Sequence, residues 1–518
     1  MPRATDPSLP ARLLGYALCL AGAWLGMPGG LARLPGAAVL FPAGIAILVT
    51  RAPSARRAVA DALLAGALAW TPPLFWVRTP ALISGGPGAD IAWLWPLVIG
   101  TGKGMYLAIL AGLARLAASR TGPILAGAYA GTAWFLMEHF KAAWCKCPLP
   151  QFVAGLSEWP WMVQGCSLAG AYGLAGLLAA CAFWLAAPGG GKAPRLLALA
   201  VLAGLGAHSA ASLRDMPGEE GTVSLALVQG NTPLVFKWDP AVTRLLLDRY
   251  AELTRQAMAS GNADTAVWPE TSLPTYFLDG IPSTAIIRAL ARELNAPLLM
   301  GVFVPEPDGN GVAQYNRAVL LGPGGATLGQ TEKVRLVPFG EYIPAYFTFI
   351  PQIVSNTGLT RPGRARAVLD SGKARYGVAI CFESMFPAAA SELVDKGANI
   401  LVNLSNDAWF KGSAGSEAHL AHARLRAVEQ GRYLARCTNT GITCLLDPRG
   451  RMVTRAAQDE ALVLYAGPAG LIAQTTVYQR SRVFVERAAA WVFLGLTAWF
   501  ALDALLARAR GKRGAGAP

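Results

Sequence analysis

The sequence predicts an α-helical transmembrane bundle of about eight spans joined to a water-soluble α/β domain, and three observations carry that reading. Of the 518 residues, 53% are hydrophobic and only 15% charged, with a mean hydropathy of +0.38, outside the range of ordinary soluble proteins. Apolar runs near the length that crosses a hydrocarbon core recur through the first 212 residues and once more near residue 500. Between them, from Thr222 to about Thr476, mixed charge accompanies period-2 strand patterns and amphipathic helical stretches.

The apolar runs fall near 11–27, 31–50, 56–77, 90–115, 121–141, 160–187 and 194–212, with a last one at 488–507 inside a final segment 486–509. Basic residues distribute unevenly around them. Arg3, Arg12, Arg51, Arg56, Arg57, Arg115, Arg120, Lys192, Arg195 and the tail Arg508, Arg510, Lys512 and Arg513 share one side. The opposite short loops carry Arg33, Arg78, Lys141 and Lys146. Cationic loops stay cytoplasmic, so both ends are expected inside and the 222–476 domain outside, in the periplasm of a Gram-negative cell with the bundle in its inner membrane. The basic leader of the first run resembles a signal peptide, but continuing apolar pattern favours an uncleaved anchor.

The net charge of +14 is therefore topological, and no nucleic-acid partner is expected. Eight scattered cysteines form no disulfide framework, and Cys145-Lys-Cys147 has neither the spacing nor the histidines of a metal site. Inside the fourth run, Lys103 in Gly100-Thr-Gly-Lys103-Gly has two readings: contact with a lipid phosphate, or a helix break that lets the amine reach water or a carbonyl. Glu138, His139 and Lys141, at the outer end of the fifth run, read as a solvated interfacial cluster or as a headgroup contact.

In the soluble region, strands are predicted at Val223–Val228, Thr265–Trp268, Pro297–Val304, Arg317–Leu321, Tyr376–Ile380 and Ile400–Leu404. Helices are predicted at Pro240–Ala259 and Ser283–Leu294, and a hairpin near Asn439–Arg455 turning at Asp447-Pro-Arg-Gly450. The pattern is a layered α/β sandwich, whose sites form at strand ends. Glu270, Lys333 and Cys381 each follow such a strand or turn.

Each of the three has a chemical and an ordinary reading. A free thiol is mostly protonated at neutral pH, so a cysteine nucleophile needs a base, and Glu270 suits that role. A cation facing the developing oxyanion is worth roughly 3 kcal/mol, and Lys333 suits that one. Taken singly, Cys381 reads as core, Glu270 as a helix N-terminal carboxylate and Lys333 as a surface charge. Their joint occurrence among Pro, Gly and aromatic residues favours chemistry.

Four motifs carry a resemblance: Trp268-Pro-Glu270; Glu332-Lys333 with Val337-Pro-Phe-Gly-Glu341-Tyr-Ile-Pro344; Ile380-Cys381-Phe-Glu383; and Asn403-Leu-Ser-Asn-Asp407-Ala-Trp409-Phe. Together they resemble the nitrilase superfamily, and the whole chain resembles its membrane-embedded apolipoprotein N-acyltransferase family. The resemblance implies a nitrilase-like α-β-β-α sandwich outside eight spans, with Glu270 as base, Lys333 stabilising the tetrahedral intermediate and Cys381 acylated. It implies that Glu341 and Glu383 orient Lys333 and support the site, and that substrate passes Trp238 and Trp409, where core packing is the ordinary alternative. Phe382 stands where this family often has Tyr, which puts any role of a phenol hydroxyl in doubt.

The implied reaction moves an acyl chain from a phospholipid, through a cysteine thioester, to the α-amino group of a diacylglyceryl-cysteine on an apolipoprotein. No cofactor is expected, and the chain is expected to act as a monomer. A membrane-tethered amidase would use the same three residues with water as acceptor, and a non-catalytic scaffold would use none. Pro344–Gly363, with Phe347, Phe349 and Ile350, reads either as an apolar lid or as a surface loop.

Overall fold

Backbone amides cannot stay unpaired in hydrocarbon, so apolar runs fold as helices, and small residues decide how closely those helices meet. The computed structural model describes residues 9–85, 87–189, 191–232, 240–308, 311–344 and 360–514, in two units. The first unit comprises 1–74, 96–210 and 480–518; the second comprises 75–95 and 211–479.

Helices occupy all eight apolar runs: Leu9–Gly26, Leu40–Thr50, Ala55–Trp70, Trp95–Ala118, Pro123–Ala143, Cys166–Ala186, Ala193–Ser212 and Val477–Gly514. Among the described residues, five helices are long and apolar enough to cross a membrane, or six if the bent pair Ala55–Trp70 and Pro72–Ser84 forms one span. Glycines set the packing. A Cβ on Gly131 would lie 2.6 Å from the Gly176 carbonyl oxygen, and one on Gly176 would lie 2.7 Å from that of Gly131.

Two polar features of this unit differ from expectation. The helix runs unbroken through Gly100–Gly104, so Lys103 sits at no break; its ammonium donates to the Cys147 carbonyl at 3.3 Å. The neighbouring glycines serve packing instead, since a Cβ on Gly104 would meet the Leu63 carbonyl oxygen at 2.6 Å. Nor is the outer cluster solvated. Lys141 and Glu138 are 4% and 2% exposed, paired at 2.7 Å, and Lys141 also donates to the Pro150 carbonyl at 2.9 Å. A buried ion pair is stable only when its remaining valences are satisfied, which these carbonyls of the 145–150 loop help to do.

The second unit holds two sheets. In the first, β1 (Thr222–Gln229), β2 (Thr265–Val267), β3 (Leu298–Asp308), β4 (Gly311–Leu321) and β5 (Thr327–Glu332) lie side by side, with β6 (Thr360–Arg361) beside β4. The second sheet runs from β7 (Val368–Asp370) through β8 (Arg375–Ile380), β9 (Ile400–Ser405), β10 (Leu434–Thr438) and β11 (Cys444–Leu446) to β12 (Met452–Arg455). The last strand, β13 (Leu462–Gly470), returns to pair antiparallel with β1.

Buried residues of both sheets share one core, among them Leu225, Val267, Leu299, Leu320, Val378, Val402 and Ala435. The outer face of the first sheet is covered by Pro240–Ala259 and Pro282–Leu294, through Leu247, Tyr250, Ile287 and Leu290. Pro387–Asp395 and Gly415–Gln430 cover the second, through Leu393, Leu420 and Ala427. The layers are thus α-β-β-α. All six predicted strands form, and the predicted hairpin is β11–β12, turned at Asp447–Gly450 with Gly450 at φ +79°. Parallel pairing of β1 with β2 with β3, and of β8 with β9 with β10, collects their carboxyl ends at one place in the unit.

One segment departs from the sequence-based division. Residues 75–95, taken above as parts of the third and fourth runs and the loop between them, pack into this second unit. Pro72 and Pro73 follow the end of the helix at Trp70, since proline removes amide donors, and the chain bends by 50° there. Trp76 then meets Phe410 edge-on at 5.2 Å, and Trp95 lies 6.4 Å from Phe339.

Candidate active site

Strand ends bring the predicted residues together. Glu270 follows β2, on a turn whose next residue, Thr271, has φ +42°. Gly301 of β3 backs it so closely that a Cβ there would lie 2.6 Å from the Glu270 Cα. The carboxylate is 5% exposed. Its Oε1 accepts from Lys333 Nζ at 2.9 Å and Asn316 Nδ2 at 2.8 Å, and its Oε2 accepts from the Asn406 amide at 3.0 Å.

Lys333 comes directly after β5 and is 1% exposed. It bridges Glu270 and Glu341, the latter at 3.0 Å. Burial works against its charge, but the two carboxylates outweigh burial and hold the ammonium well above the ordinary lysine range. Glu341 is itself pinned by the Val337 amide at 2.7 Å, and burial pushes its carboxyl upward.

Cys381 directly follows β8 and opens the short helical turn Cys381–Met385 at φ +52°, a conformation that a side chain adopts at a cost of roughly 1 kcal/mol and that needs support around it. The residue is half-buried. Burial, then the Glu270 charge, push the thiol up to about 12, while Lys333 and a Ser405 hydrogen bond pull the other way. The resting group is a thiol, and attack requires a base.

Glu383 has a different place from the one implied for it. Fully buried, it accepts from the Val334 and Arg335 amides at 2.8 and 3.0 Å, from Arg366 at 2.6 Å, and from the Ile380 amide at 3.0 Å. It does not orient the Lys333 ammonium. It clamps the chain after Lys333 to the strand before Cys381, so two residues distant in sequence keep a fixed separation.

The Carbon-nitrogen hydrolase family model matches residues 224–475. A protein of Brucella melitensis named apolipoprotein N-acyltransferase is 30% identical over 414 residues, covering 74% of this chain and 75% of that protein. One of the same name from Caulobacter vibrioides is 32% identical, covering 74% of each. The chain belongs to the apolipoprotein N-acyltransferase family. A relative of that name from Geobacter metallireducens is 40% identical over 230 residues, which span 44% of each chain.

In this apolipoprotein N-acyltransferase family member, the aromatic residues expected along the substrate path divide. Phe382 is 8% exposed and packs edge-on against Phe386 at 5.1 Å, a packing role that needs no hydroxyl. Trp409 is exposed on the short turn Asp407–Phe410, so ordinary core packing does not describe it. Trp238 and the Phe347, Phe349 and Ile350 segment lie outside the described residues.

Several residues were not singled out from the sequence. Asn316, the polar residue preceding Arg317 in β4, orients Glu270, and its one signal is an amide beside an apolar run. Arg366 neutralises buried Glu383, and nothing in its neighbourhood marks it. Asn406, whose amide holds Glu270, and Asp407 lie in a motif already quoted, but Asp407 is engaged by His419 and Arg436, which carry no motif.

Proposed function

We propose that this chain transfers an acyl group from a phospholipid to the α-amino group of a diacylglyceryl-cysteine at the start of an apolipoprotein, by way of a thioester on Cys381. The observation that carries the reading is the buried Glu270–Lys333–Glu341 array, which acts electrostatically on a strained, half-buried Cys381, in a chain rich in apolar helices.

Cys381 Sγ attacks the ester carbonyl while Glu270 takes the thiol proton, and the carbonyl π pair moves onto oxygen, where the Lys333 ammonium steadies it. Collapse breaks the ester C–O bond. The lysophospholipid leaves with the proton held by Glu270, and the thioester remains. In the second half the amine attacks that thioester, Glu270 accepts an amine proton, and the C–S bond breaks to leave an amide and a regenerated thiol. Glu341 keeps Lys333 in place throughout. Both substrates are lipid-anchored, so confinement in one membrane raises their effective concentration and leaves acyl chains in hydrocarbon.

The supporting topology is eight spans in the inner membrane, both ends cytoplasmic, with the catalytic unit in the periplasm and Trp409 on the substrate path; one copy completes the site. Mass spectrometry of protein incubated with phospholipid should find an acyl thioester on Cys381, and a diacylated lipopeptide should then discharge it to a triacylated product. If a Cys381→Ala variant acylated lipopeptide at the wild-type rate, the mechanism would be wrong.

A further inference from the structure

Beneath the nucleophile lies a buried polar network that the mechanism above does not use. Three donors converge on the Cys381 carbonyl oxygen: His419 Nε2 at 2.9 Å, Ser384 Oγ at 3.1 Å and Asn403 Nδ2 at 3.3 Å. A carbonyl oxygen only accepts, so Nε2 carries the imidazole proton. On the other side of the ring, Nδ1 receives Arg436 Nη2 at 3.1 Å and lies 3.3 Å from Asp407 Oδ1. Arg436 in turn grips both Asp407 oxygens, at 2.9 and 2.8 Å, and the Asn403 side-chain oxygen.

Ser405 donates to Asp407 at 2.8 Å, and Gly441 lies so near that a Cβ on it would meet Asp407 Oδ2 at 2.4 Å. Asp407, His419, Asn403 and Arg436 are each at most 1% exposed. So many buried polar groups are tolerated only when mutually satisfied, and here their shared output is one carbonyl. That carbonyl belongs to the residue held at φ +52°.

We propose that His419, locked in one tautomer and orientation by Arg436, which Asp407 holds in place, is a positioning residue that anchors the Cys381 carbonyl and so keeps the thiol set against Glu270 and Lys333. Burial and Arg436 lower the imidazole's proton affinity, consistent with the neutral Nε2–H form. Asn403 and Ser384 share the load at the same oxygen. The proposal rests on Cys381 being the acylated residue, and its test includes a rate that does not involve lipid.

Full-length protein in vesicles is read twice: for alkylation of Cys381 by iodoacetamide, followed on its own peptide, and for thioester formation from phospholipid. His419→Phe keeps the ring and deletes the donor; alkylation should slow about tenfold and acylation kcat should fall about 100-fold, as expected for a nucleophile displaced by about an ångström. KM should stay within about twofold, because substrate binding is untouched. His419→Gln restores an N–H near Nε2 and should recover most of both losses.

Ser384→Ala removes one hydroxyl at the same carbonyl, and both rates should drop about threefold with the thermal midpoint unchanged, the worth of one ordinary hydrogen bond. Wild-type rates in Ser384→Ala would overturn the proposal, as would equal losses in His419→Phe and His419→Gln. If His419→Phe does not fold, Ser384→Ala decides alone. Protein that is alkylated at Cys381 yet takes no acyl group from phospholipid would refute the substrate reading, while the alkylation ratios would still judge His419.

Discussion

At Cys381 the chemistry is set by what surrounds a thiol that on its own would do little. With its proton affinity pushed up to about 12, the folded protein keeps the proton where an unfolded chain, at an ordinary 9.0, begins to lose it. The stability contributed by this group is therefore complete below about pH 9 and lost as pH rises toward 12. Cys381→Ser should show a shallower alkaline loss of unfolding free energy than wild type, measured by denaturant titration at about pH 8 and about pH 10. Asp407 behaves with the opposite sign. Burial opposes its charge, but Arg436 holds it well below the ordinary 3.8, so its contribution is present above that value and lost as pH falls. Asp407→Asn should flatten the acid limb of the same stability curve. Lys333→Met removes the ammonium that bridges Glu270 and Glu341, and thioester formation should fall about 10²- to 10³-fold in single-turnover measurements, the range for one oxyanion donor.

Strands and turns decide where those residues stand. Gly301→Ala adds a methyl 2.6 Å from the Glu270 Cα, which the backbone must yield to. A shift of Glu270 by a few tenths of an ångström should lower kcat about tenfold or more, with KM little changed in steady-state assays. Glu383→Gln leaves the buried Arg366 beside a neutral amide, with the half-buried Glu392 as its remaining carboxylate partner, and the weakened pairing should cost about 1 to 3 kcal/mol, visible as a lowered denaturation midpoint. The sequence made much of this level legible. Val223–Val228 and Tyr376–Ile380 alternate or run apolar between turn residues, so their strands and the residues just after them could be placed from pattern alone. β5 and β13 could not, because Thr327–Glu332 is mostly polar and Leu462–Gly470 is broken by Gly467 and Pro468. Glu270, Lys333 and Cys381 could be grouped from sequence because Pro, Gly or aromatic residues punctuate the motifs around them, whereas His419 and Arg436 lie in an unremarkable helix and strand and gain meaning only through contacts across the fold.

Across the whole molecule, the apolar runs fold as helices, but residues 75–95, assigned to two of those runs and the loop between them, pack in the second unit. Phe75–Trp95 is apolar enough to extend the neighbouring runs, and only tertiary packing reveals that Trp76 and Trp95 brace Phe410 and Phe339, next to Trp409 and near Glu341. Trp76→Ala should loosen the turn that presents Trp409, cost about 1 kcal/mol or more, and raise proteolytic cleavage near Phe410 in a timed digest. The order of synthesis gives this brace a further meaning. Trp76 emerges more than three hundred residues before Phe410, the ring it meets, an interval on the order of tens of seconds at ordinary rates of translation. The first piece of the catalytic unit to be made is thus among the last to find its place, and a newborn chain carries an unpaired aromatic segment until Phe410 arrives.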